Sequence, residues 1–196
     1  MRSDLQILQQ WIKPRSRVMD LGCGDGELLE TLVRDKQIDG LGLEIDTDNI
    51  TKCFARGLSV IEQDIDNGLT NFIDNSFDTV VLTQTLQAVM RPDLVLDEML
   101  RVGNECIITF PNFGHWRCRL HVSVKGRMPV SKFMPYQWYN TPNTHFCTVR
   151  DFEALCAEKN IRIVQKAVVN FNSQSTWIAQ RWPNLFAVTA IYRVTK

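Results

Sequence analysis

The sequence predicts an α/β fold built around a mostly parallel sheet, and three observations carry that prediction. Short apolar runs alternate with amphipathic stretches through the first hundred residues, the pattern of a sheet covered by helices on both faces. The run Phe77-Asp-Thr-Val-Val-Leu-Thr83 is almost continuously apolar and β-branched, as expected of a strand buried on both sides. A glycine-rich turn, Asp20-Leu-Gly-Cys-Gly-Asp-Gly26, lies between the first such run and the first amphipathic helix after it.

Each element follows from local pattern. Leu5, Leu8, Trp11 and Ile12 form an apolar stripe at helical spacing, closed by Pro14. Residues 17–23 read as a strand running into the glycines, and 27–36 as a helix with Leu28, Leu29, Leu32 and Val33 on one face. Strand 40–45, a helix to Ala55 capped by Asp48, and strand 58–63 follow. After the strand at 77–83, Pro92 opens a helix that ends at Val102, with Gly103 just past it, the usual asymmetry of helix ends. A fifth strand, 105–110, stops at Pro111. Residues 112–149 read as irregular, with one short helix near 116–125; helix 151–160, strand 161–169, a polar stretch and a last strand over 185–192 complete the chain.

At 196 residues the chain is expected to form one domain, 1–196, with a sizeable core. Lys and Arg balance Asp and Glu at 22 each, which excludes a generally basic nucleic-acid coat or a polybasic membrane tether. No nucleic-acid partner is expected. The opening residues hold no signal-type apolar run and no stretch approaches a membrane span, so the expected location is the cytoplasm. Six cysteines show no C-x-x-C pair and no His at zinc-finger spacing, so free thiols and no metal are expected. The charge balance is nevertheless uneven. Residues 1–105 carry 19 acids and 10 bases, whereas 106–150 hold six bases and no acid.

The glycines of the turn permit a tight backbone and close approach of a ligand. The helix N-terminus behind them favours an anion by about 0.3–1 kcal/mol. A dinucleotide fingerprint would be G-x-G-x-x-G, and here the third glycine comes one residue early. Glu44 closes the second strand, where a carboxylate can accept both hydroxyls of a ribose, and Asp64-Ile65 follows the third strand as an adenine site. This arrangement resembles class I S-adenosylmethionine (SAM) binding folds. The resemblance places Asp20 near the methionine end, with Gly22, Cys23, Gly24, Asp25 and Gly26 around the amino-acid part of SAM or S-adenosylhomocysteine. Glu44, Ile45, Asp64, Ile65 and Thr83 complete the candidate binding set. A nicotinamide or other nucleotide, and a purely structural turn, remain the alternatives.

The turn after the fourth strand, Thr83-Gln-Thr-Leu-Gln-Ala88, lacks the Asn/Asp-Pro-Pro-Tyr/Phe signature of amide and exocyclic-nitrogen methyltransferases. His115 is the one weak candidate for a catalytic base; a loop histidine is more often structural. Residues 113–146 form a long insert combining aromatics with bases: Trp116, Arg117, Arg119, Arg127, Tyr136 and Trp138 are the candidate surface, with Lys132 and Phe133 among its other members. Three readings stand for it: a cover over the cleft for an anionic substrate, a docking surface for a partner protein, and a structural insertion.

Val18-Met-Asp-Leu-Gly-Cys-Gly-Asp-Gly-Glu-Leu-Leu29, Leu82-Thr-Gln-Thr-Leu-Gln-Ala88, Phe110-Pro-Asn-Phe-Gly-His-Trp-Arg117, Gly126-Arg-Met-Pro-Val130 and Pro135-Tyr-Gln-Trp-Tyr-Asn-Thr-Pro142 together resemble the methionine biosynthesis protein MetW family. That resemblance implies a class I methyltransferase-like (Rossmann-like) α/β sheet of about seven strands, the last antiparallel. It also implies action beside homoserine O-acyltransferase (MetX), as an activating subunit, with SAM as a ligand. The alternative is a SAM-dependent methyltransferase acting on a small acceptor that the sequence does not identify.

Overall fold

The computed structural model describes residues 3–130, 136–170 and 176–196; Lys132, Phe133 and Pro135 of the insert lie outside them. Chain order is α1 (Ser3–Trp11), β1 (Arg17–Leu21), α2 (Glu27–Lys36), β2 (Asp39–Glu44), α3 (Thr47–Ala55), β3 (Ser59–Glu62), a 3-10 turn (Ile65–Asn67) and β4 (Phe77–Thr83). Then come α4 (Pro92–Val102), β5 (Gly103–Pro111), α5 (Trp116–Lys125), α6 (Val149–Glu158), β6 (Arg162–Val169), α7 (Trp177–Arg181), α8 (Pro183–Phe186) and β7 (Thr189–Thr195).

The strands form one sheet in the order β3-β2-β1-β4-β5-β7-β6. From β3 to β5 every neighbour pair is parallel, and β7 runs antiparallel to both β5 and β6. This is the expected mostly parallel sheet of seven strands with an antiparallel last strand. From β1 the chain steps outward to β2 and β3, then crosses back to β4 on the other side. The crevice outside the carboxyl ends of β1 and β4 is therefore the topological switch point, where open α/β sheets bind ligands.

Successive strand residues point to opposite faces, so each central strand feeds two cores. Met19, Val80, Ile108 and Tyr192 pack with Leu96 and Met99 of α4 and Phe152 of α6 on one face. Val18, Val81, Ile107 and Ile191 pack with Leu8 of α1, Ile12 just past it, and Leu29 and Leu32 of α2 on the other. Helices thus cover both faces, and these strand residues are fully buried. Phe110, Phe152 and Tyr192 form a ring cluster with centroids 4.7–5.9 Å apart. All six cysteines are free thiols. No helix among the described residues is long and apolar enough to cross a membrane.

Four local readings are corrected. Asp46, not Asp48, caps α3: its carboxylate accepts the amides of Asp48 and Asn49 at 2.9 and 3.0 Å. The fifth strand begins at Gly103 rather than 105: Gly103 stands just past α4, as expected, with an extended backbone that already belongs to β5. Its missing side chain answers to packing, because a Cβ there would lie 2.6 Å from Val80 Cγ2. The helix expected at 151–160 starts at Val149, because Thr148 and Asp151 close a reciprocal capping box. The last strand begins at Thr189 rather than 185: Pro183, preorganised for a first helical turn, starts α8 instead.

Gly42 in β2 faces the turn below it. A Cβ on it would stand 2.6 Å from Cys23 Sγ and 3.1 Å from Leu29 Cδ1. Gly42→Ala is therefore expected to destabilise the fold by roughly 1–3 kcal/mol through overpacking. Adding Cys23→Ala removes the sulfur and should recover part of that loss; urea unfolding of the single and double variants measures it.

Candidate functional site

The cleft begins with the turn after β1. Gly22 and Cys23 donate their amides to Leu43 O at 2.8 and 3.0 Å, which lays the turn over the end of β2. Gly22 has φ +68°, and a Cβ there would stand 2.9 Å from Thr85 Oγ1. Gly26, at φ +80°, ends the turn as the N-cap of α2 without any side-chain cap; a Cβ there would meet Leu58 Cδ1 at 2.5 Å. Only glycine meets both the left-handed backbone and the tight fit at these two positions.

Glu44 locks the turn from the side. It is buried, and its Oε2 accepts Gly24 N at 2.7 Å while its Oε1 accepts Ile45 N and Asp46 N at 2.9 and 3.0 Å. A carboxylate offers about four lone-pair positions, so roughly one remains for a ligand.

An open cleft of ≈ 200 Å³ lies here, and Gly22, Glu44, Ile45, Asp64 and Ile65 of the expected set line it. Leu43, Gln63, Asp66, Thr85, Ala88 and Val89 complete its walls; sequence reasoning missed these six. Asp64 caps the 3-10 turn by accepting Asp66 N at 2.9 Å. Asp66 takes Met90 N at 2.8 Å and so ties the loop after β3 to the loop after β4. Acids beside apolar Leu43, Ile65 and Val89 suit a flat heterocycle bearing hydroxyl and amine donors.

The other expected residues sit around the cleft without lining it. Asp20 is buried at the end of β1, directly before the glycines. The Cys23 thiol is buried, and burial first, then the charge of Asp20, pushes its pKa well above the ordinary thiol value. Cys23 is thus a protonated packing residue rather than a nucleophile. Asp25 turns outward to Arg56, 2.9 Å away, which also pairs with Glu30. Thr83 ends β4, and its carbonyl accepts Thr85 Oγ1 at 3.0 Å. Among the described residues, no group of three or more His, Cys, Asp and Glu could hold a metal ion.

His115 is buried as the N-cap of α5, where Nδ1 accepts Arg117 N at 3.2 Å. That bond assigns the neutral ring its proton on Nε2. His115 does not line the cleft. Beside it, Arg117 lies over the Trp116 ring at 5.4 Å, and Arg119 Nε donates to Gly114 O at 2.6 Å. Arg127, Tyr136 and Trp138 are exposed. Further along the insert, Thr144 N and His145 N both donate to Gln87 O, at 2.8 and 3.0 Å. The insert is thereby stitched to the loop that forms the cleft's far wall.

Sequence reasoning also missed Asn112. This buried amide accepts from Gly114 N and Val149 N, and it donates to Ala187 O at 2.8 Å, roots that hold the two ends of the insert and the chain before β7 together. Asn directly after a strand-ending proline was the available signal.

Sheet order, switch-point cleft and glycine turn define a class I methyltransferase-like α/β protein. Solved structures agree: the chain is similar to a SAM-dependent methyltransferase of Thermotoga maritima, described as a possible histamine N-methyltransferase, at 19% identity and TM-score 0.69, over 99% of this chain and 87% of that one. It is similar as well to a SAM-dependent methyltransferase of Archaeoglobus fulgidus, at 17% identity and TM-score 0.70, over 98% and 91%. The chain belongs to the MetW family: the sequence model of "Methionine biosynthesis protein MetW" matches residues 2–194. A relative named bifunctional methionine biosynthesis protein MetXA/MetW, from Rhodopirellula baltica, is 36% identical over 96% of this chain. The chain spans 32% of that relative's length.

Burial first, then the charge of Arg117, lowers the His115 pKa below its ordinary 6.5. The unfolded chain therefore binds this proton more readily, so the stability contributed by neutral His115 is complete above about pH 6.5 and is lost as pH falls through the lower folded value. Urea midpoints between pH 7.5 and 5 should fall less for His115→Asn, which keeps a side-chain cap without a titrating ring.

Proposed function

We propose that this MetW-family chain binds SAM in the cleft and acts as an activating subunit of homoserine O-acyltransferase in methionine biosynthesis. The single observation that carries the reading is the Rhodopirellula relative, whose name joins MetXA and MetW in one polypeptide. Linking two functions in one chain holds them at an effective concentration on the order of millimolar, which is an advantage when the two act on each other. The basic, aromatic insert supplies a surface for such contact.

Support for SAM comes from the fit of the cleft. Gly22 leaves room for a ligand against the turn, Glu44 and Asp64 offer acceptors, and Ile65 and Val89 offer apolar walls. Asp20 at the end of β1 would face the cationic end. When bound, SAM supplies an activated methyl group; this chain's residues would hold and orient it. For SAM to regulate the acyltransferase, it must favour the complex over the separate proteins, since equal affinity for both shifts nothing.

Equilibrium dialysis with labelled SAM is expected to show one bound ligand per chain, weakened at least tenfold, about 1.4 kcal/mol, by Glu44→Ala. Mixing purified homoserine O-acyltransferase with this protein should raise the acylation rate, and omission of SAM should change that effect. No complex and no change in rate would overturn the reading. The open cleft in a methyltransferase-like fold favours a second one, methyl transfer to a small acceptor. Protein-dependent transfer of labelled methyl into a cell extract, with acylation unaffected, would support it instead.

A further inference from the structure

Helix α5 exposes an apolar stripe. Of its ten residues only Cys118 is buried. At 100° per residue, the side opposite Cys118 carries Trp116, Leu120 and Val124, spaced i, i+4 and i+8. These side chains are 39%, 53% and 73% exposed. Arg117 flanks this apolar ridge on one side and Arg119 on the other. A short helix normally buries its apolar stripe; α5 exposes this one together with its charges.

The ridge is also rigid. His115 caps its start, Gly126 at φ +60° ends it, and Arg119 is anchored on the Gly114 carbonyl. Holding the ridge in one conformation lowers the ordering cost of association. The segment that carries it, residues 106–150, contains six bases and no Asp or Glu. An exposed apolar ridge with a Trp at one end and arginines on both edges has the composition of an interface hot spot. Its spacing matches the helix-in-groove mode of recognition.

We propose that α5 is a docking helix: Trp116, Leu120 and Val124 enter an apolar groove of the partner protein whose rim is acidic, and Arg117 and Arg119 pair with that rim. The inference deepens the proposed function and rests on it for the partner's identity, homoserine O-acyltransferase. A lipid surface fits less well, because membrane-lying helices present one broad apolar face, whereas the exposed apolar residues of α5 are divided between this ridge and Val122 on the other side of the helix, which is 42% exposed.

Affinity of the full chain for purified acyltransferase tests this, with Leu120→Asp, Val124→Asp and the double variant Arg117→Glu/Arg119→Glu. The first two positions are solvent-exposed, so these variants are expected to fold; circular dichroism and unchanged SAM affinity verify it. Each apolar variant should weaken the complex at least tenfold. The wild-type complex should also weaken as NaCl rises from about 50 to 500 mM, and the arginine double variant should lose both affinity and most of that salt dependence. Wild-type binding with all three folded variants unaffected would overturn this inference alone and leave the proposed function standing. No wild-type binding would overturn both. Binding of the wild type to phosphatidylserine vesicles, abolished by Leu120→Asp while acyltransferase binding persists, would assign the ridge to a membrane and overturn the proposal.

Discussion

A carboxylate that is buried must be satisfied, since stripping it of water without partners costs several kcal/mol. Glu44 meets that condition with three main-chain amides drawn from two different loops. The turn after β1 and the turn after β2 are therefore closed on one another by a single side chain. Much else follows from it. The turn must curl back over β2 to bring Gly24 N to Glu44, so Gly22 and Gly26 adopt left-handed conformations and Cys23 is driven under the turn against Gly42. The cleft is the space left once those constraints are met.

Legibility in the sequence tracked how local each determinant was. Strands β1, β4 and β5 were readable because burial on both faces demands nearly continuous apolar residues, and the short helix expected near 116–125 is α5. Where the deciding partner was distant, pattern reading failed. Near Leu185 the one local sign of a helical turn is Pro183, and the carbonyls of Pro183 and Asn184 answer to the Asn112 amide more than seventy residues earlier. Asp46 and Asp48 are equally good caps on paper, and only the end point of β2 chooses between them. The near wall of the cleft, Gly22, Glu44 and Asp64, was visible as a motif with correctly spaced acids. The far wall, Thr85, Ala88 and Val89, lies in or beside the segment Leu82–Ala88, which carries the family resemblance but no ligand-binding pattern, and it meets the near wall only through the crossover to β4.

The uneven charge distribution gains a more specific meaning. Several acids of the first half act on the protein itself: Asp25 pairs with Arg56, Asp46 caps α3, and Asp66 braces the loop after β4. Much of the excess negative charge is architectural, and Glu44, Asp64 and Asp66 are the acids that line the cleft. The basic half shows the opposite character. Its charge flanks an exposed apolar ridge and meets no acid within its own segment, so it faces outward rather than inward.

The bonds from Thr144 and His145 to the carbonyl of Gln87 have a consequence for how the molecule breathes. Those two amides cannot exchange with solvent unless the insert lifts from the loop after β4, and that loop is braced in turn by Asp66 from below. Insert root and cleft wall are thereby joined by hydrogen bonds rather than standing as two independent loops. A molecule that held either one closed would slow the opening of the other, and amide exchange at Thr144 and His145 would register it.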